Sequence, residues 1–103
     1  MTKNILLIGR TPSVIDEVIS KTESPNFHFL AGGNTIEEVR SIFSMHSIDH
    51  VIVGGGIDLE RRIEIVRDVF RLSDSTTVHM NSPSGPESFL PFVRSVLSGI
   101  KNL

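Results

Sequence analysis

The sequence contains no cysteine, tryptophan or tyrosine. Without cysteine the chain has no disulfide, no thiolate zinc site and no thiol chemistry. Without tryptophan and tyrosine it lacks the usual stacking platforms for bases and sugars, and most of its 6 phenylalanines fall on faces predicted to be core. These absences exclude thiol enzymes and cysteine-based zinc modules, and they make recognition by base stacking unexpected.

The sequence also lacks an excess of basic charge and a long apolar run. Its 10 basic and 12 acidic side chains give a net charge of -2, which supplies no electrostatic footprint for nucleic acid or an acidic membrane. No run approaches the roughly 18 apolar residues that span a bilayer, and the N-terminus has no signal-peptide pattern. We therefore expect a cytoplasmic protein that contacts neither nucleic acid nor membrane.

The composition that remains is that of one folded domain. The chain has 103 residues, of which 39% are hydrophobic and 21% charged, as in ordinary soluble globular proteins. That length is enough for one core and too short for two, so residues 1–103 are predicted to form a single domain.

Two continuous apolar runs predict strands that are covered on both faces. Ile5–Ile8 ends at Gly9, and Val51–Val53 is followed by the run Gly54–Gly56. Asp58 then stands at an N-cap position. A buried strand, a glycine turn and a capped helix form half of a βαβ unit.

Two shorter segments predict edge strands, Phe27–Ala31 and Thr76–Met80, because each contains a histidine and is short. Helices are expected after each strand. Their predicted starts are Thr11 with Pro12, Thr35 with Glu38 or the alternative frame Asn34 with Glu37, Asp58, and a position near Ser88.

The order is therefore four strand-helix units in succession. With the two most hydrophobic strands central and right-handed crossovers, the strand order is 2-1-3-4. We predict an α/β fold: a small doubly wound parallel sheet with helices on both faces.

This pattern resembles receiver-type or flavodoxin-like domains cut to four strands. A receiver would place paired acids after the first strand and a phosphoacceptor aspartate at the end of the third. This sequence has Gly9, Arg10 and Thr11 at the first position and Gly54–Gly56 at the second, and the fifth strand with its lysine is missing. The resemblance implies the architecture and a regulatory role through binding, and not phosphotransfer.

The carboxyl ends of parallel strands meet at one edge, and ligands bind there at the switch point, between the first and third strands. Helix N-termini and an arginine at such an edge favour a phosphate or carboxylate. The alternative is that the glycines only turn short loops. The candidate ligand-binding residues are Gly9, Arg10, Thr11, Gly54, Gly55, Gly56, Asn81 and Ser82.

No catalytic or metal motif is complete. The dinucleotide pattern G-x-G-x-x-G, the Walker A lysine and the G-x-S-x-G elbow are all missing. The 4 histidines are scattered over the predicted elements. His79 is the one whose position would allow it to approach a ligand at this edge, but a structural or exposed role is the expectation for all four. The sequence therefore names no catalytic residue, no metal ligand and no cofactor.

The third helix carries two apolar stripes. Leu59, Ile63, Val66 and Phe70 recur at helical spacing and predict the core face. Another set falls on the far side or at the margin of that face. It consists of Ile65, Val69 and Leu72. Two explanations stay open for this set: a homodimer surface, or a helix that is more buried than four strands require.

The first functional hypothesis is a non-catalytic binding or regulatory module, receiver-like in architecture and self-associating through the third helix. The second is a binder or enzyme for a nucleotide or other phosphorylated small molecule at the carboxyl edge of the sheet.

Overall fold

The computed structural model of the chain describes residues 2–33 and 35–100. Four strands alternate with four helices, and a short 3₁₀ turn, Pro86–Ser88, precedes the last helix. The elements are β1 (Lys3–Ile8), α1 (Pro12–Thr22), β2 (Phe27–Ala31), α2 (Ile36–Met45), β3 (His50–Val53), α3 (Leu59–Leu72), β4 (Thr77–Met80) and α4 (Phe89–Gly99).

The strands form one parallel sheet in the order β2-β1-β3-β4. β1 and β3 are central and adjacent, with Leu6 opposite Val51 and Ile8 opposite Val53. All of Ile5–Ile8 and Val51–Val53 are fully buried. The predicted strand order and the two enclosed central strands are confirmed.

Alternation along β1 and β3 separates the core into two layers, because successive side chains point to opposite faces. Leu6, Ile8, Val51 and Val53 pack with residues of α2 and α3. The remaining central side chains pack with α1 and α4, in a cluster formed by Ile5, Leu7, Ile15, Val18, Ile52, Phe89 and Val93. The sheet is thus doubly wound, with two helices on each face.

The helices start where the sequence predicts. The Thr35 hydroxyl accepts a hydrogen bond from the Glu38 amide at 3.2 Å, so α2 uses this capping frame; Asn34, the alternative cap, lies outside the described residues. The Asp58 carboxylate accepts from the Arg61 amide at 2.9 Å and caps α3. Thr11 precedes α1 without making a side-chain cap.

Within residues 2–33 and 35–100, no helix is both long and apolar enough to cross a membrane.

The buried and exposed faces of α3 are the reverse of those predicted from the sequence. Ile65 and Val69, predicted to lie outside the core, are fully buried, whereas Leu59 and Phe70, predicted to be core, are 67% and 63% exposed. Of the three residues proposed as a dimer patch only Leu72 reaches the surface. The second explanation of this set, a helix more buried than expected, therefore holds for Ile65 and Val69.

Two buried charged residues explain the rotation of α3. Asp68 faces α2, where the Arg40 guanidinium binds it through Nε at 2.6 Å and Nη2 at 3.2 Å. Arg62 is buried on the other side and donates to main-chain carbonyls. Buried charges are tolerated when they have polar partners, so the core face of α3 can include Arg62 and Asp68. A prediction from the spacing of apolar residues does not detect a core face that contains charged residues.

Candidate functional site

A cavity of about 430 Å³ opens at the carboxyl edge of the sheet, where the loops after β1, β3 and β4 meet. Its walls come from the β1–α1 loop, the β3–α3 loop, the first turns of α1 and the segment that leads into α4. It is lined by Gly9, Arg10, Thr11, Val14, Ile15, Gly54, Gly55, Gly56, Ser84, Gly85, Pro86 and Phe89.

Most of the predicted site residues line this one cavity. Gly9, Arg10 and Thr11 come from one loop and Gly54–Gly56 from the other, as expected for the tips of adjacent parallel strands. Asn81 and Ser82, predicted to flank this edge, do not line the cavity themselves. The chain continues past them, and the next residues, Ser84–Pro86, form the third wall instead.

Glycines let the walls come close together. The Gly54 amide donates to the Ile8 carbonyl at 2.8 Å, which continues the β1–β3 ladder to the cavity floor. A Cβ added at Gly54 would lie 3.3 Å from the Phe89 ring, which faces the same cavity. A side chain at this position would therefore push against the cavity wall.

Arg10 is the only charged side chain among the residues lining the cavity, and it is exposed. The adjacent N-terminus of α1 has neither a side-chain cap nor an acidic residue in its first turn. α3, by contrast, begins with the Asp58 carboxylate on its own amides. Since a helix N-terminus carries partial positive charge, the field in this cavity favours an anion at the Arg10 end.

Much of the remaining lining is apolar. Val14 and Ile15 of α1, Pro86, and Phe89 of α4 contribute this apolar lining. A ligand that fills the whole space would therefore combine an anionic group with an apolar or planar body.

A hydrogen-bonded cluster supports the third wall. The Asn81 amide nitrogen donates to Ser84 Oγ at 3.3 Å and to Ser88 Oγ at 3.0 Å, and the two hydroxyl oxygens lie 2.6 Å apart. Ser84 Oγ also donates to the Ser82 carbonyl at 2.8 Å. Asn81 is thus a supporting residue that holds the position of Ser84, which lines the cavity.

Arg62 joins the loops from behind the cavity. Its Nε donates to the Ile57 carbonyl at 2.9 Å and its Nη1 to the Asn81 carbonyl at 2.5 Å. This buried guanidinium therefore connects the β3–α3 loop to the end of β4. Arg62 was not identified from the sequence, because nothing in the sequence around a single arginine indicates that its partners are main-chain oxygens.

His79 does not reach the cavity. Its Nε2 lies 3.1 Å from His50 Nδ1, and both side chains line a separate groove with Lys3 and residues of α4. Burial lowers the pKa of both imidazoles, and His79 lowers the pKa of His50 further. The side chain of His79 points to the α4 face of β4, away from the carboxyl-edge cavity, which agrees with the structural role favoured from the sequence.

Two serine hydroxyls lie at or beside the third wall of the cavity. The hydrogen bonds that the described residues make to Ser84 Oγ and Ser88 Oγ come from an amide, hydroxyls and carbonyls, and none involves a histidine or a carboxylate. Neither serine therefore has the adjacent base that an activated nucleophile needs. Residues 2–33 and 35–100 also contain no group of three or more histidine, aspartate or glutamate side chains placed to hold a metal ion.

No protein-family model, no curated protein and no solved structure matched this chain when it was compared with each of these sets.

Proposed function

We propose that this protein is a non-catalytic binding or regulatory module, receiver-like in architecture, that takes an anionic small ligand in the cavity at the carboxyl edge of the sheet. The observation that supports this most is the charge distribution of the cavity. Arg10 is the single charged lining residue, and it stands beside the N-terminus of α1, which has no side-chain cap and no acid in its first turn. A phosphate or carboxylate is the group that such a site selects.

The apolar wall narrows the ligand class further. Val14, Ile15 and Phe89 offer contact area to a body attached to the anion. Inorganic phosphate would leave this wall uncovered. A phosphorylated or carboxylated organic molecule, nucleotides included, therefore fits the proposed role better than a free ion.

The second candidate function is an enzyme that acts on a phosphorylated small molecule in the same cavity. Its specific support is Ser84, which lines the cavity and whose hydroxyl is held by Asn81 and Ser88. The described hydrogen bonds of Ser84 include no base, so the binding module is the preferred proposal.

A thermal-shift screen tests the binding proposal. The panel contains inorganic phosphate, nucleotides, sugar phosphates and small carboxylic acids, and the proteins are the wild type, Arg10→Ala and the control Arg94→Ala, which removes an exposed arginine from α4. A ligand at about 100 times its dissociation constant should stabilise the wild type by roughly 2.7 kcal/mol. We expect the shift to be lost in Arg10→Ala and kept in Arg94→Ala.

The absence of any shift across the panel, or a shift equal in the Arg10→Ala protein, would count against the proposal. Incubation of each stabilising phosphate ester with the protein, followed by ³¹P NMR, separates the two candidate functions. An unchanged ester supports the binding module. Turnover that disappears in Ser84→Ala supports the enzyme.

A further inference from the structure

α3 carries an apolar stripe that no described element covers. We call Leu59, Ile63, Val66 and Phe70 the outer stripe; they recur at spacings of four, three and four residues. Phe70 is 63% exposed, Leu59 67% and Ile63 42%. Exposed apolar side chains that lie in a row on one helix mark an interaction surface more often than scattered single ones do.

The outer stripe lies on the side of α3 that faces away from α2. Phe70 is about 160° around the helix from Asp68, at 3.6 residues per turn, and Asp68 is the residue that binds Arg40 of α2. α2 connects β2 to β3 and α3 connects β3 to β4, so this free flank lies toward the open edge of β4. Leu59, Ile63 and Phe70 are exposed on this flank, and Val66 between them is half-buried.

The charges beside the outer stripe are divided by sign. Glu60 lies in the N-terminal half of α3 and Arg67 in its C-terminal half, both within about 60° of Ile63 around the helix. Both side chains are exposed. Two copies of this helix packed antiparallel would place Glu60 of each against Arg67 of the other, whereas a parallel pair would oppose like charges.

We propose that the outer stripe is a homodimer interface in which α3 packs antiparallel against α3 of a second copy. The apolar residues are compatible with the same two-fold axis. Leu59 would meet Phe70 of the second copy and Ile63 would meet its Val66, with the axis near the middle of the helix. A two-fold interface requires a patch that complements itself in this way.

This dimer uses the opposite flank of α3 from the one expected from the sequence. Ile65 and Val69 are enclosed in the monomer core, so they are unavailable to a partner. The proposal does not rest on the ligand-binding role of the cavity, because the outer stripe shares no residue with the cavity lining.

Sedimentation velocity over about 5 to 500 µM tests the interface, because a contact of one helix per subunit gives a small interface and modest affinity. We expect the wild type to shift from monomer to dimer in this range. Phe70→Glu should weaken the dimer at least tenfold. Met45→Glu is the matched control: Met45 is 73% exposed on α2, outside the outer stripe, so its replacement should leave the dimer unchanged.

Charge reversals test the antiparallel arrangement. Glu60→Arg makes this flank of the outer stripe basic, and Arg67→Glu makes it acidic. Each protein alone should be at least tenfold weaker as a dimer, and an equimolar mixture should form a heterodimer. Because these positions are exposed, all variants should keep the circular dichroism spectrum of the wild type.

A wild type that stays monomeric at 500 µM overturns the proposal, as does a dimer that Phe70→Glu leaves intact. A dimer that is lost in Phe70→Glu but persists in both charge-reversed proteins overturns the antiparallel arrangement.

Discussion

Gly55 lies where the loops after β3 and β4 approach most closely. The Ser84 amide donates to the Gly55 carbonyl at 3.4 Å, and a Cβ added at Gly55 would overlap the carbonyl oxygen of Ser82. The neighbouring Gly56 is different, since a Cβ there would lie 3.7 Å from the nearest atom, Arg10 Cβ. Only one of these two adjacent glycines is therefore required by the packing of the loops.

We predict that Gly55→Ala lowers the free energy of unfolding by about 1–3 kcal/mol, because the loops must separate to admit the methyl group. Gly56→Ala, the matched control, should change it by less than about 0.5 kcal/mol. Urea denaturation of the three proteins measures both values. Equal stabilities of the two variants would mean that the loops do not approach as described.

His50 and His79 make stability depend on pH. Burial lowers the pKa of both residues in the folded protein, and His50 is affected further by His79 and Lys3, with Asp49 opposing. The unfolded chain therefore binds protons at these sites more readily than the folded chain does. Well above the ordinary histidine pKa of about 6.5, both residues are neutral in the folded and unfolded chain and cost no stability. As the pH falls below that value, the free energy of unfolding decreases, because the unfolded chain takes up the protons first.

We predict that the free energy of unfolding decreases between pH 7.5 and pH 5.0, and that His79→Gln makes this decrease smaller. His28→Gln, at an exposed position of β2, is the control and should keep the wild-type pH dependence. Urea denaturation at the two pH values measures the difference. If His79→Gln keeps the wild-type slope, the pair is not responsible for it.

At the scale of the element, α3 shows that the spacing of apolar residues does not determine which face of a helix is buried. Both the outer stripe and the set Ile65, Val69 and Leu72 satisfy helical spacing, so the sequence offers two candidate core faces. The choice depends on Arg62 and Asp68, whose burial requires partners on other segments of the chain. Such long-range pairing cannot be read from a local pattern.

We predict that Ile65→Ala lowers the free energy of unfolding by about 2–5 kcal/mol, because it leaves a cavity in the core. Ile63→Ala, on the outer stripe, should cost less than about 1 kcal/mol in dilute solution. The two substitutions remove the same atoms at positions two residues apart, on opposite faces of one helix, so urea denaturation compares the two faces directly. If Ile63→Ala lowered the free energy of unfolding more than Ile65→Ala does, the outer stripe would be the core face of α3, as predicted from the sequence.

The other elements were predictable because their signals are local. Thr35 with Glu38, Asp58 and Pro12 mark helix starts through their own backbone chemistry, and the apolar runs at Ile5–Ile8 and Val51–Val53 are continuous. β4 begins one residue later than expected, because Thr76 turns its hydroxyl to the Ile48 carbonyl at 2.6 Å.

At the scale of the whole molecule, the candidate site follows from the strand order. Once β1 and β3 are neighbours, their loops must share an edge, which is why Arg10 and Gly54–Gly56 line one cavity. Asn81 and Ser82 were predicted from the sequence as flanking residues, but Ser84–Pro86, which form the third wall of the cavity, were not predicted. The path of an irregular loop depends on contacts such as Ser84 with Gly55 and carries no periodic signal in the sequence.

The most direct test of the cavity as a ligand site is a ¹H–¹⁵N NMR titration of the wild type with the best phosphorylated or carboxylated compound of the screen. We predict saturable shift changes at the amides of residues 9–11 and 54–56, with little change near His50 and His79. Changes that do not saturate, or that centre on the groove between β4 and α4, would contradict the assignment of the site.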